Sequence, residues 1–191
     1  MLKTLDANAL SFIFLAALML LTAPLAESTT LAQLSLAQLV DSAHIIVHAE
    51  AISNMTVWHD GEIWTITTFR ILDNWKGQAS PKIEVWMIGG HAGRITSYVP
   101  GAPRFRPGEE AVLFLEPTRG GKISITAWGE GTFRVHRDAR TGESRITQDT
   151  AIIPEFAGPD HTQPRNAIRN WPLEKFKARV LQAEAAPRGI K

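Results

Sequence analysis

The chain has 191 residues, enough for one domain of ordinary size. Lys and Arg number 20 against 19 Asp and Glu, so no bulk charge directs it to nucleic acid, and 45% apolar residues argue for a buried core over disorder. There is no cysteine, which removes disulfides, thiolate nucleophiles and cysteine metal sites together.

The chain opens with Lys3 and then "ALSFIFLAALMLLTA", an uncharged apolar block from Ala9 to Ala23. It has the length of a secretory h-region and falls short of the roughly 20 residues of a membrane span. Ala26 and Ser28 then offer a small-residue cleavage site with no lipobox cysteine. Residues 1–28 are therefore expected to be a cleaved signal peptide. The mature protein would be secreted or periplasmic, with no membrane span after cleavage. The alternative, an uncleaved N-terminal anchor, also puts the working part outside the cytoplasm. Without disulfides there, stability must come from the core.

Ser35 is an expected N-cap for a short helix with Leu36, Leu39, Val40 and Ala43 at helical spacing. "HIIVHAEAIS" follows as a strand, with Ile45, Val47, Ala49 and Ala51 on one face and His44, Ile46, His48 and Glu50 on the other. His44 and His48 could share a metal on a helix, but four strand residues separate them by about 13 Å. They are expected as two half-exposed strand histidines. His59-Asp60-Gly61 supplies a turn into "EIWTITTFRILDNWKG", where Trp64 and Ile66 stand on one phase and Phe69 and Ile71 on the other. The slip near Thr67 and Thr68 predicts a β-bulge.

"KIEVWMIGG" is the next strand, and Ile95–Val99 suits a short one. Pro100, Gly101, Pro103, Pro107 and Gly108 forbid a regular ladder through the long loop after it. "EEAVLFLEP" is expected to be buried on both sides, with Ala111, Leu113 and Leu115 against Val112 and Phe114. "KISITAW", "GTFRVHR" and a weak last strand complete the series. Beyond residue 154 the chain is expected to be irregular up to Pro172, read as the N1 residue of an amphipathic helix. Leu173, Phe176, Val180 and Leu181 form its apolar stripe. The expected organisation is a signal peptide over 1–28, a barrel domain with its leading helix over 29–153, and an irregular segment plus a helix packed on the barrel over 154–191. The fold class is mainly β: a small closed OB-like Greek-key barrel with a short N-terminal and an amphipathic C-terminal helix.

The order of "DSAHIIVHAEAIS", "TITTFRILDNWKGQASPKIEVWMIGGHAG", "RFRPGEEAVLFLEP" and "KISITAWGEGTF" resembles the OB-fold module of the tissue inhibitors of metalloproteinases and related netrin-like modules. It is still more similar to exported bacterial proteins built on that pattern. The resemblance covers about residues 35–136 and implies the barrel. It also raises the role of inhibitor or accessory partner of an exported metalloprotease. Those inhibitors chelate the protease zinc through a free N-terminal cysteine, and this chain has none.

The glycines of "GGHAG", residues 89–93, open no helix and precede no Lys-Ser/Thr, so they make no phosphate loop. They are expected to let the chain leave one strand and cross to the next. A small hydrolase or metalloenzyme could use His91, His136 or His161 with Glu109 or Glu110, which requires His91 and a carboxylate to converge in a pocket. No Gly-x-Ser-x-Gly elbow or His-Glu-x-x-His helix is present, no catalytic residue is assigned, and no metal or cofactor is implied. The expected function is that of a non-catalytic binding or regulatory module. Its partner would be another exported protein, and nucleic acid is not expected. The binding candidates are His91, Arg94, Tyr98, Arg104, Phe105 and Arg106, because guanidinium and aromatic groups dominate recognition surfaces and long ordered loops carry function. On an extended segment Arg104 and Arg106 would project to one side. Phe105 would anchor the loop on the other.

Overall fold

The computed structural model describes residues 34–149 and 167–186. The expected signal peptide, most of the irregular segment including His161, and the tail from residue 187 lie outside the described residues. The described elements are α1 (Leu36–Ser42), β1 (Ile45–His59), β2 (Glu62–Lys76), β3 (Lys82–Ile88), β4 (Gly90–Ala92), β5 (Ile95–Ser97), β6 (Glu110–Pro117), β7 (Ile123–Ile125), β8 (Thr132–Arg137), β9 (Ser144–Gln148), β10 (Trp171–Pro172) and α2 (Leu173–Ala185). The molecule is mainly β, with one helix near the start of the folded region and one at the C-terminal end, as predicted. No helix among the described residues is long and apolar enough to cross a membrane.

Ser35 caps α1 through a capping box. The Gln38 amide donates to the Ser35 hydroxyl, and the Ser35 amide donates to Gln38 Oε1. β1 and β2 form a long antiparallel hairpin running from Ile46↔Lys76 to His59↔Glu62. Its two-residue turn takes Asp60 at φ 52° and Gly61 at φ 80°, the left-handed pair that a tight hairpin needs. The predicted slip is real, but its extra residue is on the other strand. Ala51 faces Phe69 and Ser53 faces Thr68, which leaves Ile52 of β1 without a partner. Two further shifts, between Ile46 and Val47 and between His48 and Ala49, curl the same ribbon.

β2 continues antiparallel to β3, β3 meets β7 in parallel at Val85↔Ile123, and β7 runs antiparallel to β6. β6 lies antiparallel to β1 from Ile45↔Leu115 to Glu50↔Glu110, so the pairing path returns to the strand where it began. β6 also leads outward to β8, β9 and β10, while β4 and β5 form a separate two-stranded sheet.

Two cores share the central strands. Val47, Ala49, Ala51, Phe69, Val85, Met87, Phe105, Ala111, Leu113, Leu115 and Ile125 form the first. Leu39, Val40, Ile46, Trp75, Val112, Phe114, Phe133, Ile146, Phe176 and Val180 build the second under the two helices. Alternation in β6 sends Ala111, Leu113 and Leu115 to one core and Val112 and Phe114 to the other, and all five are fully buried. In the helix-side core Phe176 packs 4.5 Å from Phe133 and 6.4 Å from Phe114, measured between ring centroids. Burying each such ring contributes roughly 1.5–3 kcal/mol.

The helical expectation needs two corrections. Pro172 is the N-cap rather than N1, because it is still extended (φ −56°, ψ 133°) and pairs with Arg145 of β9. Leu181 is 41% exposed. After Val180 the buried face passes instead to Ala183, which packs on the core, and to Glu184, which pairs with Lys76. A second ion pair, Lys177 to Asp73, ties α2 to β2. Burial pushes the Asp73 carboxyl up, but hydrogen bonds from Lys177 and the Trp75 indole outweigh it and hold the group below the ordinary aspartate range.

Candidate functional site

The long connection from β3 to β6 divides into two unlike halves. In the first, Gly89 and Gly90 turn the chain at φ 91° and φ 151°. A Cβ on Gly89 would meet the Arg104 Nη2 at 2.6 Å, and one on Gly90 would meet the Thr65 hydroxyl at 2.5 Å. A Cβ on Gly89 would also meet the Ser97 carbonyl oxygen at 2.8 Å, so close approach and positive φ together call for glycine as the chain leaves β3, as expected for "GGHAG". The strands β4 and β5 then pair as Gly90↔Ser97, His91↔Thr96 and Ala92↔Ile95. His91 is exposed, with Nδ1 2.6 Å from the Thr96 hydroxyl. Arg94 is exposed, Tyr98 is 77% exposed, and neither has a side-chain partner among the described residues.

In the second half the chain is fastened to β1, β2 and β8. Phe105 is 5% exposed and belongs to the first core, where its ring meets Phe69 edge-on at 5.0 Å. The Arg134 guanidinium from β8 stacks on Phe105 at 4.3 Å. The backbone is clamped on both sides of that ring. Arg134 Nη2 donates to the Arg104 carbonyl at 2.7 Å, and Asn54 donates to the Phe105 carbonyl at 2.7 Å. The Arg106 amide donates to Glu109, and the Gly108 amide donates to the Ala51 carbonyl beside the β1 bulge.

Arg104, Phe105, Arg106, Gly108 and Arg134 line a cleft of about 790 Å³ with Glu109, Glu110, Val135, His136, Arg137, Ser144 and Asp149. Arg134 organises its floor. It donates to Glu109 at 2.8 Å through Nη1 and to Asp149 at 3.0 and 2.7 Å through Nε and Nη2. Charge-assisted contacts of this kind are the strong class of hydrogen bond, and here they fix the loop, β8 and the end of β9 to one another.

Of the six binding candidates, Arg104, Phe105 and Arg106 are brought together in the cleft, while His91, Arg94 and Tyr98 do not line it. Phe105 is the anchor, as its place between two arginines suggests. The arginines are both exposed but do not act alike. Arg104 reaches back to the Thr65 hydroxyl (3.2 Å) and the Ser97 carbonyl (3.3 Å), joining the two halves of the loop. Arg106 has no side-chain partner among the described residues.

The arrangement required for catalysis by His91 is not found, because His91 stays on the β4–β5 hairpin, outside the cleft that Glu109 and Glu110 line. His136 does line the cleft, but its Nε2 lies 3.3 Å from Asn170 Oδ1, Glu109 is held by Arg134, and Glu110 is held by His48 at 3.1 Å. His48 is thus a cross-strand partner, and among the described residues no group of three or more His, Cys, Asp or Glu could hold a metal.

Sequence reading missed Arg134, Arg137, Asp149 and Asn54. The usable signal for Arg134 was alternation in "TFRVHR". Phe133 and Val135 face the helix-side core, so Arg134 and His136 must face the other way. Compared with known proteins, the chain matches no family model and no curated protein sequence.

Proposed function

We propose that this chain is an exported, non-catalytic binding module whose cleft beside residues 104–109 captures another exported protein. The expected signal peptide over residues 1–28 gives the compartment. The scaffold we propose is a closed OB-like Greek-key barrel. The pairing path β1–β2–β3–β7–β6–β1, with one parallel step at β3–β7, supports that reading, as does the likeness to the netrin-like modules.

One observation carries the functional reading. A solvent-facing loop segment is held by a buried ring, two clamped carbonyls and a guanidinium stacked on the same ring, and it presents Arg106 at the mouth of a cleft. Ordering a loop so completely costs entropy at about 1–2 kcal/mol per residue, and a bare connection has no need of it. A recognition surface does, because rigidity set in folding is not charged to binding. The interior alternatives, hydrolase or metalloenzyme, gain no support from the committed partners of Glu109 and Glu110.

The test is capture of partners by the mature protein from its native culture. Arg106→Ala should keep the melting temperature and lose the co-purifying protein. A variant that keeps every partner would reduce the segment to a connection.

A further inference from the structure

We propose that the cleft recognises a peptide segment with spaced carboxylates, gripped by the guanidiniums of Arg106 and Arg137. The inference rests on the binding role just given and names the chemistry of the partner.

It follows from which charges in the cleft already have partners. Three carboxylates line it. Glu109 and Asp149 are both taken by Arg134, and Glu110 by His48. Four arginines line it, and of these Arg134 alone is paired with carboxylates there. Arg104 donates to a hydroxyl and a carbonyl, Arg137 to the Gly142 carbonyl at 3.0 Å, and Arg106 to no described residue. Each guanidinium carries five N–H donors, so Arg106 and Arg137 keep most of theirs for a ligand.

Both stand on rigid supports. Arg106 follows the buried Phe105, its amide donates to the Glu109 side chain at 3.1 Å, and its carbonyl accepts from the Glu109 amide at 3.0 Å. Arg137 closes β8, paired with Ser144 of β9. Forked donors held this way suit planar carboxylates, which they can bind with two parallel hydrogen bonds.

The same census selects against a dense polyanion. Glu109, Glu110 and Asp149 share the cleft with the two guanidiniums, so a phosphate chain or a heavily sulfated sugar would bring closely spaced negative charge against them. Carboxylates spaced along a peptide can meet the arginines one at a time. A cleft of about 790 Å³ lies within the range of built ligand sites.

The probe is a synthetic ten-residue peptide of alternating Glu and Ser, titrated calorimetrically into the purified full-length protein, with a Gln-Ser peptide and inorganic polyphosphate as comparators. The Glu peptide should bind, weaken as salt rises, and lose about tenfold in affinity with each of Arg106→Ala and Arg137→Ala at unchanged melting temperature, as expected for a charge-assisted bond. Equal affinity for the Gln peptide, tighter binding of polyphosphate, or indifference to both substitutions would overturn the proposal. If the Glu peptide fails to bind while Arg106→Ala still abolishes partner capture, the carboxylate chemistry is wrong and the binding role stands. If Arg106→Ala leaves capture intact, the binding role itself falls.

Discussion

The two halves of the β3–β6 connection have similar ingredients and different fates. Residues 91–98 offer a histidine, an arginine and a tyrosine, and residues 104–106 offer two arginines and a phenylalanine. The first set ends on a two-stranded hairpin with its side chains in solvent, and the second is fixed to β1, β2 and β8. Composition alone does not separate them. What separates them is whether the segment's aromatic ring reaches a core. Phe105 is 5% exposed and Tyr98 77%. A ring that reaches a core carries its neighbours into a defined position, whereas a ring in solvent leaves them free.

Substitutions should break that contrast in a fixed order. Phe105→Ala should have the largest effect, about 3–5 kcal/mol in denaturant unfolding, because it removes a buried ring and leaves a cavity against Phe69. A loss below about 1 kcal/mol would mean that the second half is no better anchored than the first. Arg134→Ala comes next, at about 1.5–3 kcal/mol, since it strips Glu109, Asp149 and the Arg104 carbonyl of their shared donor. Amide exchange at Gly108 and Glu109 should quicken in that variant, while exchange at Thr96 should not change. Arg104→Ala should cost only about 0.5–1.5 kcal/mol, and its mark should be greater mobility of the β4–β5 hairpin, which loses its tie at Ser97. Replacing Arg94 and Tyr98 together by Ala should stay within about 0.5 kcal/mol.

An acid titration supplies the smallest effect and a control that neither half of the loop uses. Asp73 has a depressed value in the folded protein, so its contribution is present above the ordinary aspartate value of about 3.9 and fades as pH falls through the lower folded one. Acid should loosen α2 from β2 in the parent protein. In Asp73→Asn that acid-dependent part should be missing, as followed by amide exchange in α2.

Where the cause of a feature is local, the sequence was readable. The Ser35 cap depends on residues three apart, the Asp60-Gly61 turn on two neighbours, and the double-faced β6 on strict alternation. Where the cause is distant, it was not. The slip in "TITTFR" marked a bulge, but phase in one strand cannot tell which strand holds the extra residue, and it proved to be Ile52. Half of the site could be named from its own segment: Arg104, Phe105 and Arg106. For the other half, alternation in "TFRVHR" gives the face of Arg134, but its meeting with Arg104, Glu109 and Asp149 comes only through the pairing of β8 with β6 and β9. His91 was a candidate as part of the long loop that its neighbouring glycines open. Those glycines answer to positive φ and to the space taken by the Ser97 carbonyl and the Thr65 hydroxyl.

The central claim is that the anchored half of the connection, not the free half, carries recognition. It is tested most directly by comparing Arg106→Ala with the Arg94→Ala, Tyr98→Ala double variant in one capture experiment, each variant having first been shown to keep the parent's melting temperature. The account predicts that Arg106→Ala loses the partner and the double variant retains it. Loss of the partner by the double variant, with retention by Arg106→Ala, would contradict it.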